Sequence, residues 1–333
     1  MPEDLILPPD AAAIERAAAI LRAGGVVAFP TETVYGLGAD ARNRAAVRRV
    51  FAIKGRPADH PVIVHLPAPE ALEAWARTVP EAARRLARAF WPGPLTLVLP
   101  RAAGVPDEVT GGQDSVAVRV PAHPLALALI RAAGALVAPS ANRFGHVSPT
   151  TAEHVRAELN GAVDLILDGG PCAVGVESTI LSLLDDTPRL LRPGLITAAE
   201  IEAVLGRPVR VGGGVRAPGS LPAHYAPNTP LELLPAPAVP ERAAALLEQG
   251  LKVAVLGYGA AARPLPAPVR RLEMPVRAGD YARRLYAALR ELDGAGCDVI
   301  LVEAPPTTAD WLAVQDRLGR AAAAFAGARR DRA

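Results

Sequence analysis

Thr31-Glu32-Thr33, Lys54 with Arg56, His65, Ser115, Arg119, Ser140-Ala141-Asn142, Ser148, Glu177-Ser178-Thr179 and Arg192 crowd the ends of apolar segments. Cations set among hydroxyls and loop amides suit an anionic ligand, above all the phosphates of a nucleotide. The chain uses such residues sparingly: Lys54 and Lys252 are its only lysines among 36 basic residues, and four of its six serines fall in this set. Each residue also has a plainer reading. Hydroxyls at strand ends cap helices or close turns, and Ser148-Pro149-Thr150-Thr151 has the form of an N-cap. Lys54 and Arg56 suit a solvated helix end, where cations favour the dipole. Arg119 sits mid-strand among valines, so burying it demands an anion, which is Asp40, Glu177 or a ligand. His65 suits a satisfied core histidine, and His224-Tyr225 suits a clasp between linker and domain.

The elements that position these residues follow from periodicity. Residues 10–23 read as a helix capped by Asp10 and stopped by Gly24-Gly25. Further helices are expected over 45–53, 80–90, 123–134, 151–161 and 197–206. Strands are expected over 26–30, 62–66, 95–100, 115–121, 135–140, 164–168 and 178–184, with ligands beyond the strand ends. This irregular mixture predicts an α/β domain with a twisted mixed sheet over residues 1–207. Glycine and proline dominate residues 208–230, a linker. Strands at 231–235, 253–257 and 299–304 then alternate with helices at 240–249, 279–293 and 310–324. That pattern predicts a smaller Rossmann-like α/β domain over 231–333 with a parallel sheet and a frayed GARRDRA tail.

Composition excludes several classes. A net charge of +2, from 36 basic and 34 acidic residues, is no footprint of a dedicated nucleic-acid binder. No apolar run approaches the roughly 18 residues that span a bilayer, and the acidic start lacks the basic region of a signal peptide. A cytoplasmic protein is expected. Cys172 and Cys297 form no CxxC zinc site. Neither lysine has P-loop context, and GxSxG is absent. GxGxxA at Gly212–Ala217 and Gly257–Ala262 runs into prolines instead of a helix. His60 and His65 are read as facing opposite ways around a strand, so no metal is assigned to them.

FPTETVYGLGADA (29–41), KGRP (54–57) with HPVIVHL (60–66), FWPGPLTLVLP (90–100), SVAVRVP (115–121), APSANRFGHVSPTTAEHV (138–155), GGPCAVGVESTI (169–180) and LLRPGLI (190–196) resemble, in this order, the YrdC-like family. HYAPNTP (224–230) and the second domain look like the family's long two-domain form, the threonylcarbamoyl-AMP synthases. The resemblance implies an enzyme that joins L-threonine, bicarbonate or CO2, and ATP with its Mg2+ into threonylcarbamoyl-AMP, releasing pyrophosphate. A separate transferase then carries the group to the adenosine beside the anticodon of tRNA. By resemblance, Thr33, His65, Arg119, Ser178 and the backbone at Ala138 hold L-threonine. Arg56, His60, Ser115, Ser140, Asn142, Ser148, Arg192 and Tyr225 hold ATP or the adenylate. Lys54 is the lysine of the family's KxR element and acts with Arg56 on the triphosphate. His60 stands where the family usually shows asparagine, and Ala217 where it shows serine.

The chemistry needs little covalent work from the protein. An amine attacks CO2 or bicarbonate, and the resulting N-carboxylate displaces pyrophosphate at the α-phosphorus, steps governed by positioning and charge. No side chain is assigned as general base. The linker is expected to fold over the first domain as a lid, with the Tyr225 hydroxyl on the phosphates. Two rivals stand beside this reading. One is a carbamoyl-adenylate-forming enzyme of another pathway, whose usual acylphosphatase and zinc-finger segments are missing here. The other is a non-catalytic RNA-binding regulator, which the near-zero net charge disfavours.

Overall fold

Eleven short strands and seven α-helices form the first of two units, Met1–Phe144 with Ser148–Ser220, in a computed structural model that describes residues 5–259 and 264–326. The GARRDRA tail, the first four residues and the end of the second GxGxxA segment lie outside the described residues. The strands are β1 (Ile6–Leu7), β2 (Val27–Pro30), β3 (Tyr35–Asp40), β4 (Ile63–His65), β5 (Leu95–Pro100), β6 (Ser115–Arg119), β7 (Leu136–Val137), β8 (Leu165–Leu167), β9 (Thr179–Ser182), β10 (Arg189–Arg192) and β11 (Arg210–Val211). They pair in the order β1-β8-β2-β3-β7-β4-β6-β5-β9-β10-β11, with parallel and antiparallel neighbours mixed. The helices are α1 (Ala11–Arg22), α2 (Arg44–Lys54), α3 (Glu81–Phe90), α4 (Asp107–Thr110), α5 (Pro124–Ala133), α6 (Ala152–Leu159) and α7 (Ala198–Leu205).

Local chemistry sets the boundaries. The Asp10 carboxylate accepts from Ala13 N at 2.8 Å to start α1, and Asn43 does the same for α2, which Gly55 ends in the left-handed conformation. Thr197 and Glu200 form a capping box on α7. Four strands escaped the periodicity: β1, β3, β10 and β11. β3 reads YGLGAD, and its glycines hide it. A Cβ on Gly38 would stand 2.7 Å from the Phe29 ring on β2, so the two strands pair closely only because that atom is absent.

Period-two alternation on β4, β6, β5 and β9 divides two environments. Val64, Val116, Val118, Leu95, Leu97, Leu99 and Leu181 join one core with α2, α3 and α7. The intervening residues take the opposite face, where Ile63, Ala117, Val98 and Ile180 pack around Ala217. A separate core under α1 and α5 holds Val27, Phe29, Leu165 and Leu167.

The second unit, Gly145–Val147 with Leu221–Ala333, has four parallel strands. These are β12 (Leu231–Leu234), β13 (Val253–Tyr258), β14 (Val269–Met274) and β15 (Val299–Glu303), in the order β12-β15-β13-β14, with α8 (Val239–Glu248), α9 (Ala278–Asp293) and α10 (Leu312–Ala323). The expected alternation and parallel pairing are present. β14, VRRLEM, carries the charges of an edge strand and gave no apolar signal.

The glycine- and proline-rich residues divide between the units at Ser220. In the first unit, Arg216 pairs with Asp59 at 2.7 Å, and Ala217 is buried on the sheet face. Tyr225 belongs to the second unit, at φ +61, with its ring 6.0 Å from Tyr286 and the Arg317 guanidinium 5.0 Å from its centre.

One close approach in the first unit is decisive for the loop after β10. A Cβ on Gly194 would lie 2.3 Å from Thr179 N and 2.8 Å from the Glu177 carbonyl oxygen. Gly194→Ala is therefore expected to cost about 1–3 kcal/mol, read as a lower urea midpoint with an unchanged m-value.

Candidate active site

β4 and β6 run parallel with His65 beside Arg119. Arg119 is buried and held at three points: Nε donates to the Gly93 carbonyl at 3.1 Å, Nη1 to Thr33 Oγ1 at 3.0 Å, and Nη2 to Glu32 Oε1 at 2.6 Å. Its anion is thus Glu32, not Asp40 or Glu177. The other Glu32 oxygen accepts from Ala122 N at 3.0 Å, which keeps the carboxylate aimed. Glu32 carried no signal of its own between two threonines; only the tertiary fold brings it to residue 119. Two of the five guanidinium N–H groups remain to meet a ligand. Burial, with the Arg119 charge as a second cause, drives the His65 pKa down to about 3, against the pull of the Ile63 carbonyl. The imidazole is neutral, and its Nδ1 has no hydrogen-bond partner within the described protein.

Ser178, just ahead of β9, lies at the same end of the face. Its hydroxyl is 2.8 Å from Thr96 Oγ1, and Arg192 donates to its carbonyl and hydroxyl oxygens at 2.9 and 3.2 Å. Arg192 also donates to the Pro218 carbonyl at 3.1 Å. Thr96 belongs to this group and was read only as part of a strand; its place opposite Leu95 and Leu97 in the alternation was the available signal. Ala138 follows β7, with its N–H on the Ile63 carbonyl at 3.2 Å.

A second group forms around α2. Lys54 was read as suiting a solvated loop or helix end, and the structure corrects this. Its side chain is buried, and Nζ donates to the carbonyls of Ser140 and Asn142 at 2.5 and 2.6 Å. Burial, then the neighbouring Arg56 charge, lowers its pKa well below the usual lysine range. Arg56 is buried as well. It donates to the Pro61 carbonyl at 2.7 Å, with the rings of Phe51 and Phe144 on its flanks. His60 meets Phe144 edge-on at 5.5 Å, and burial followed by the Arg56 charge lowers its pKa. Asn142 is fully buried, and the Ser148 hydroxyl donates to Glu177 Oε1 at 2.6 Å.

Ser115 lies elsewhere on the same face. It opens β6 where Arg119 closes it, about 13 Å away at the usual strand rise, on a cleft of about 270 Å³ lined by Arg77, Pro100, Asp114, Leu184 and Val215. The candidate residues of β4, β6 and β9 therefore line a sheet face as well as strand ends. Tyr225 sits in the second unit, buried among Tyr286, Arg317 and His224.

Known proteins resemble this chain along its length. A family model described as telomere recombination matches residues 19–194, and one described as the threonylcarbamoyl-AMP synthase C-terminal domain matches residues 196–323. The threonylcarbamoyl-AMP synthase of Bacillus subtilis is 46% identical over 323 residues, 93% of this chain and 92% of the relative. That of Pyrococcus abyssi is 45% identical over 322 residues, 92% and 93% of the two chains. The crystal structure of P. abyssi Sua5 complexed with L-threonine superimposes with a TM-score of 0.89 at 42% identity, covering 96% of this chain and 98% of that one.

Burial of the site has two measurable consequences. The unfolded chain protonates His65 near its ordinary 6.5, the folded chain only near 3. The stability this group contributes is complete above the unfolded value and is lost as pH falls from there toward 3, by up to about 1.4 kcal/mol per pH unit. Urea titrations across that window should show a steeper loss of stability in the wild type than in His65→Asn. Lys54→Ala strips a charged donor from two main-chain carbonyls, so it should cost about 1–3 kcal/mol of stability, read at neutral pH.

Proposed function

The chain belongs to the threonylcarbamoyl-AMP synthase family in its two-domain form and is a nucleotidyltransferase, and from this premise we propose that its first unit seats L-threonine at the Arg119 end of the sheet face and ATP beside Lys54. The observation that carries the reading is the Arg119 fork, fixed by Glu32, Thr33 and Gly93 with two N–H groups to spare. A planar fork is the natural partner of an amino-acid carboxylate. The complex of the P. abyssi relative with L-threonine supports the choice of amino acid. Neutral His65, with its open Nδ1, and the Ser178 hydroxyl supply polar partners for the threonine side chain.

The free amine of threonine attacks CO2 and releases a proton to solvent, or attacks bicarbonate with loss of water, and becomes an N-carboxylate. An oxygen of that carboxylate attacks the α-phosphorus of ATP, and the bond from that phosphorus to the bridging oxygen breaks, releasing pyrophosphate. Lys54 and Arg56 offset the charge on the phosphates, with Arg192, Ser140, Asn142 and Ser148 orienting them. His60, Ser115 and Tyr225 are proposed as further contacts to ATP or the adenylate. Mg2+, brought as part of the ATP complex, would supply further neutralisation of the phosphate charge. The product passes to a separate transferase acting on tRNA, in the cytoplasm.

The full chain, given ATP, L-threonine and bicarbonate, should release pyrophosphate and form a threonine-dependent adenylate. A site that hydrogen-bonds a hydroxyl leaves buried groups unpaired when the hydroxyl is missing, so valine should be disfavoured by about four orders of magnitude in kcat/KM, and serine by less. Arg119→Lys should raise the KM for threonine more than that for ATP. Equal turnover of valine and threonine would refute this assignment.

A further inference from the structure

Thr31 and Thr33 stand in the short connection between β2 and β3, residues 31–34, and both side chains are buried. Their hydroxyl oxygens lie 2.8 Å apart, and their other neighbours decide which of the two donates. Thr31 Oγ1 is 2.6 Å from the Val34 carbonyl oxygen. A carbonyl only accepts and a hydroxyl has one proton, so the Thr31 proton goes to Val34. The Thr31 oxygen also takes the N–H groups of Thr33 and Val34, each at 3.2 Å. Thr33 is therefore the donor to Thr31. The Thr33 oxygen in turn accepts from Arg119 Nη1 at 3.0 Å, since a guanidinium has only donors. The protons run one way, from Arg119 to Thr33 to Thr31 to Val34. The backbone of the connection is fixed separately, with the Glu32 and Thr33 carbonyls accepting from Val174 N at 2.7 Å and Gly175 N at 3.0 Å. Among the described residues, Thr33 Oγ1 is left with a lone pair and no proton to offer a ligand.

We propose that Thr31 is a positioning residue of the L-threonine site: by taking the Thr33 proton it makes Thr33 an acceptor only, to be met by an N–H of the substrate amine. The inference rests on the reading of the Arg119 fork as the seat of the threonine carboxylate. Nη1 carries a second N–H, so a carboxylate oxygen taken there shares a nitrogen with the Thr33 contact. That carboxylate brings only lone pairs, and Thr33 has no proton for it. The α-amino group, one carbon away from the carboxylate, is the substrate donor nearest to Thr33. The direction of the bond bears on the reaction. A free amine has N–H groups and a single lone pair, and that pair forms the bond to the carbon of CO2 or bicarbonate. A hydroxyl free to turn would donate to the lone pair and withdraw it from attack. Thr33, its proton held by Thr31, binds the nitrogen without touching the electrons that react, and the N-carboxylate still carries an N–H to keep the contact. Such orientation before the reaction begins costs nothing while it proceeds.

The test uses the full chain and the displacement of labelled L-threonine by two analogues: (R)-3-hydroxybutanoate, which lacks the amine, and L-2-aminobutyrate, which lacks the hydroxyl. Thr31→Val keeps the side-chain shape and removes the acceptor. The preference for L-threonine over (R)-3-hydroxybutanoate should then fall roughly three- to tenfold. The preference over L-2-aminobutyrate and the KM for ATP should stay at their wild-type values. Thr31→Ser, which keeps the hydroxyl, should retain the amine preference. An unchanged amine preference in Thr31→Val overturns the proposal, even if every ligand binds more weakly, because Thr31 would then be structural only. So does a fall confined to the preference over L-2-aminobutyrate, which would turn Thr33 toward the substrate hydroxyl. If Thr31→Val fails to fold, Thr33→Val carries the comparison: a reduced amine preference supports the contact and an unchanged one overturns it. Wild-type protein that does not bind labelled L-threonine overturns the reading of the Arg119 fork itself, an outcome distinct from an unchanged preference.

Discussion

Four basic side chains lie buried among the described residues of the first unit, and main-chain carbonyls accept a hydrogen bond from each of them. Lys54 donates to Ser140 and Asn142, Arg56 to Pro61, Arg119 to Gly93, and Arg192 to Ser178 and Pro218. Removing a full charge from water costs several kcal/mol even after relaxation, so these positions exist only because loops deliver oxygen atoms to them. Arg119 is in addition paired with the Glu32 carboxylate at 2.6 Å, which offsets its charge. Side chains held in this way are fixed in place before any ligand arrives. Much of the irregular structure follows from this need. The 138–150 loop supplies oxygens to Lys54, and the close approach of Gly194 to residues 177–179 fixes the segment whose carbonyl Arg192 takes.

Alternation along four strands then sorts the chemistry. Because β6 is parallel to β4 and antiparallel to β5, and β5 is parallel to β9, the start of β9 and the ends of β4 and β6 come to one side of the sheet. His65, Arg119, Thr96 and Ser178 gather there. The middle of the same face is apolar, with Ile63, Ala117, Val98 and Ile180 closed over by Ala217. Polar groups thus stand around a dry floor, where each hydrogen bond counts for more than it would in water.

The sequence made much of this legible and concealed the rest for identifiable reasons. Every helix of eight or more residues was visible in its apolar period, and so were the apolar strands, since local patterning determines both. β3 was lost because Gly36 and Gly38 read as turn residues although they serve close packing, and β14 because an edge strand keeps its charges. The polar residues announced a site through type and scarcity, but not their partners. Arg119 needed an anion, and Glu32 lies 87 residues away. Lys54 looked like a helix end, and it is one; its burial comes from the 138–150 loop, which no local pattern around residue 54 reveals. β6 presents Ser115, Ala117 and Arg119 in a row along one face, so its polar residues stand at both ends of the strand.

The pairing order carries a consequence of another kind. An open sheet ends in unpaired amides and carbonyls, which invite edge-to-edge association between molecules. The eleven-stranded sheet ends at β1 and β11, each two residues long, so either border offers little template for a further strand. The four-stranded sheet ends at β12 and β14. β12 lies between Pro230 and Pro235, and β14 carries Arg270, Arg271 and Glu273. Prolines remove donors, and charges make the addition of a like strand unfavourable. Each border is blunted in its own way, and the chain can keep half its residues hydrophobic without offering a neighbouring molecule a sheet to extend.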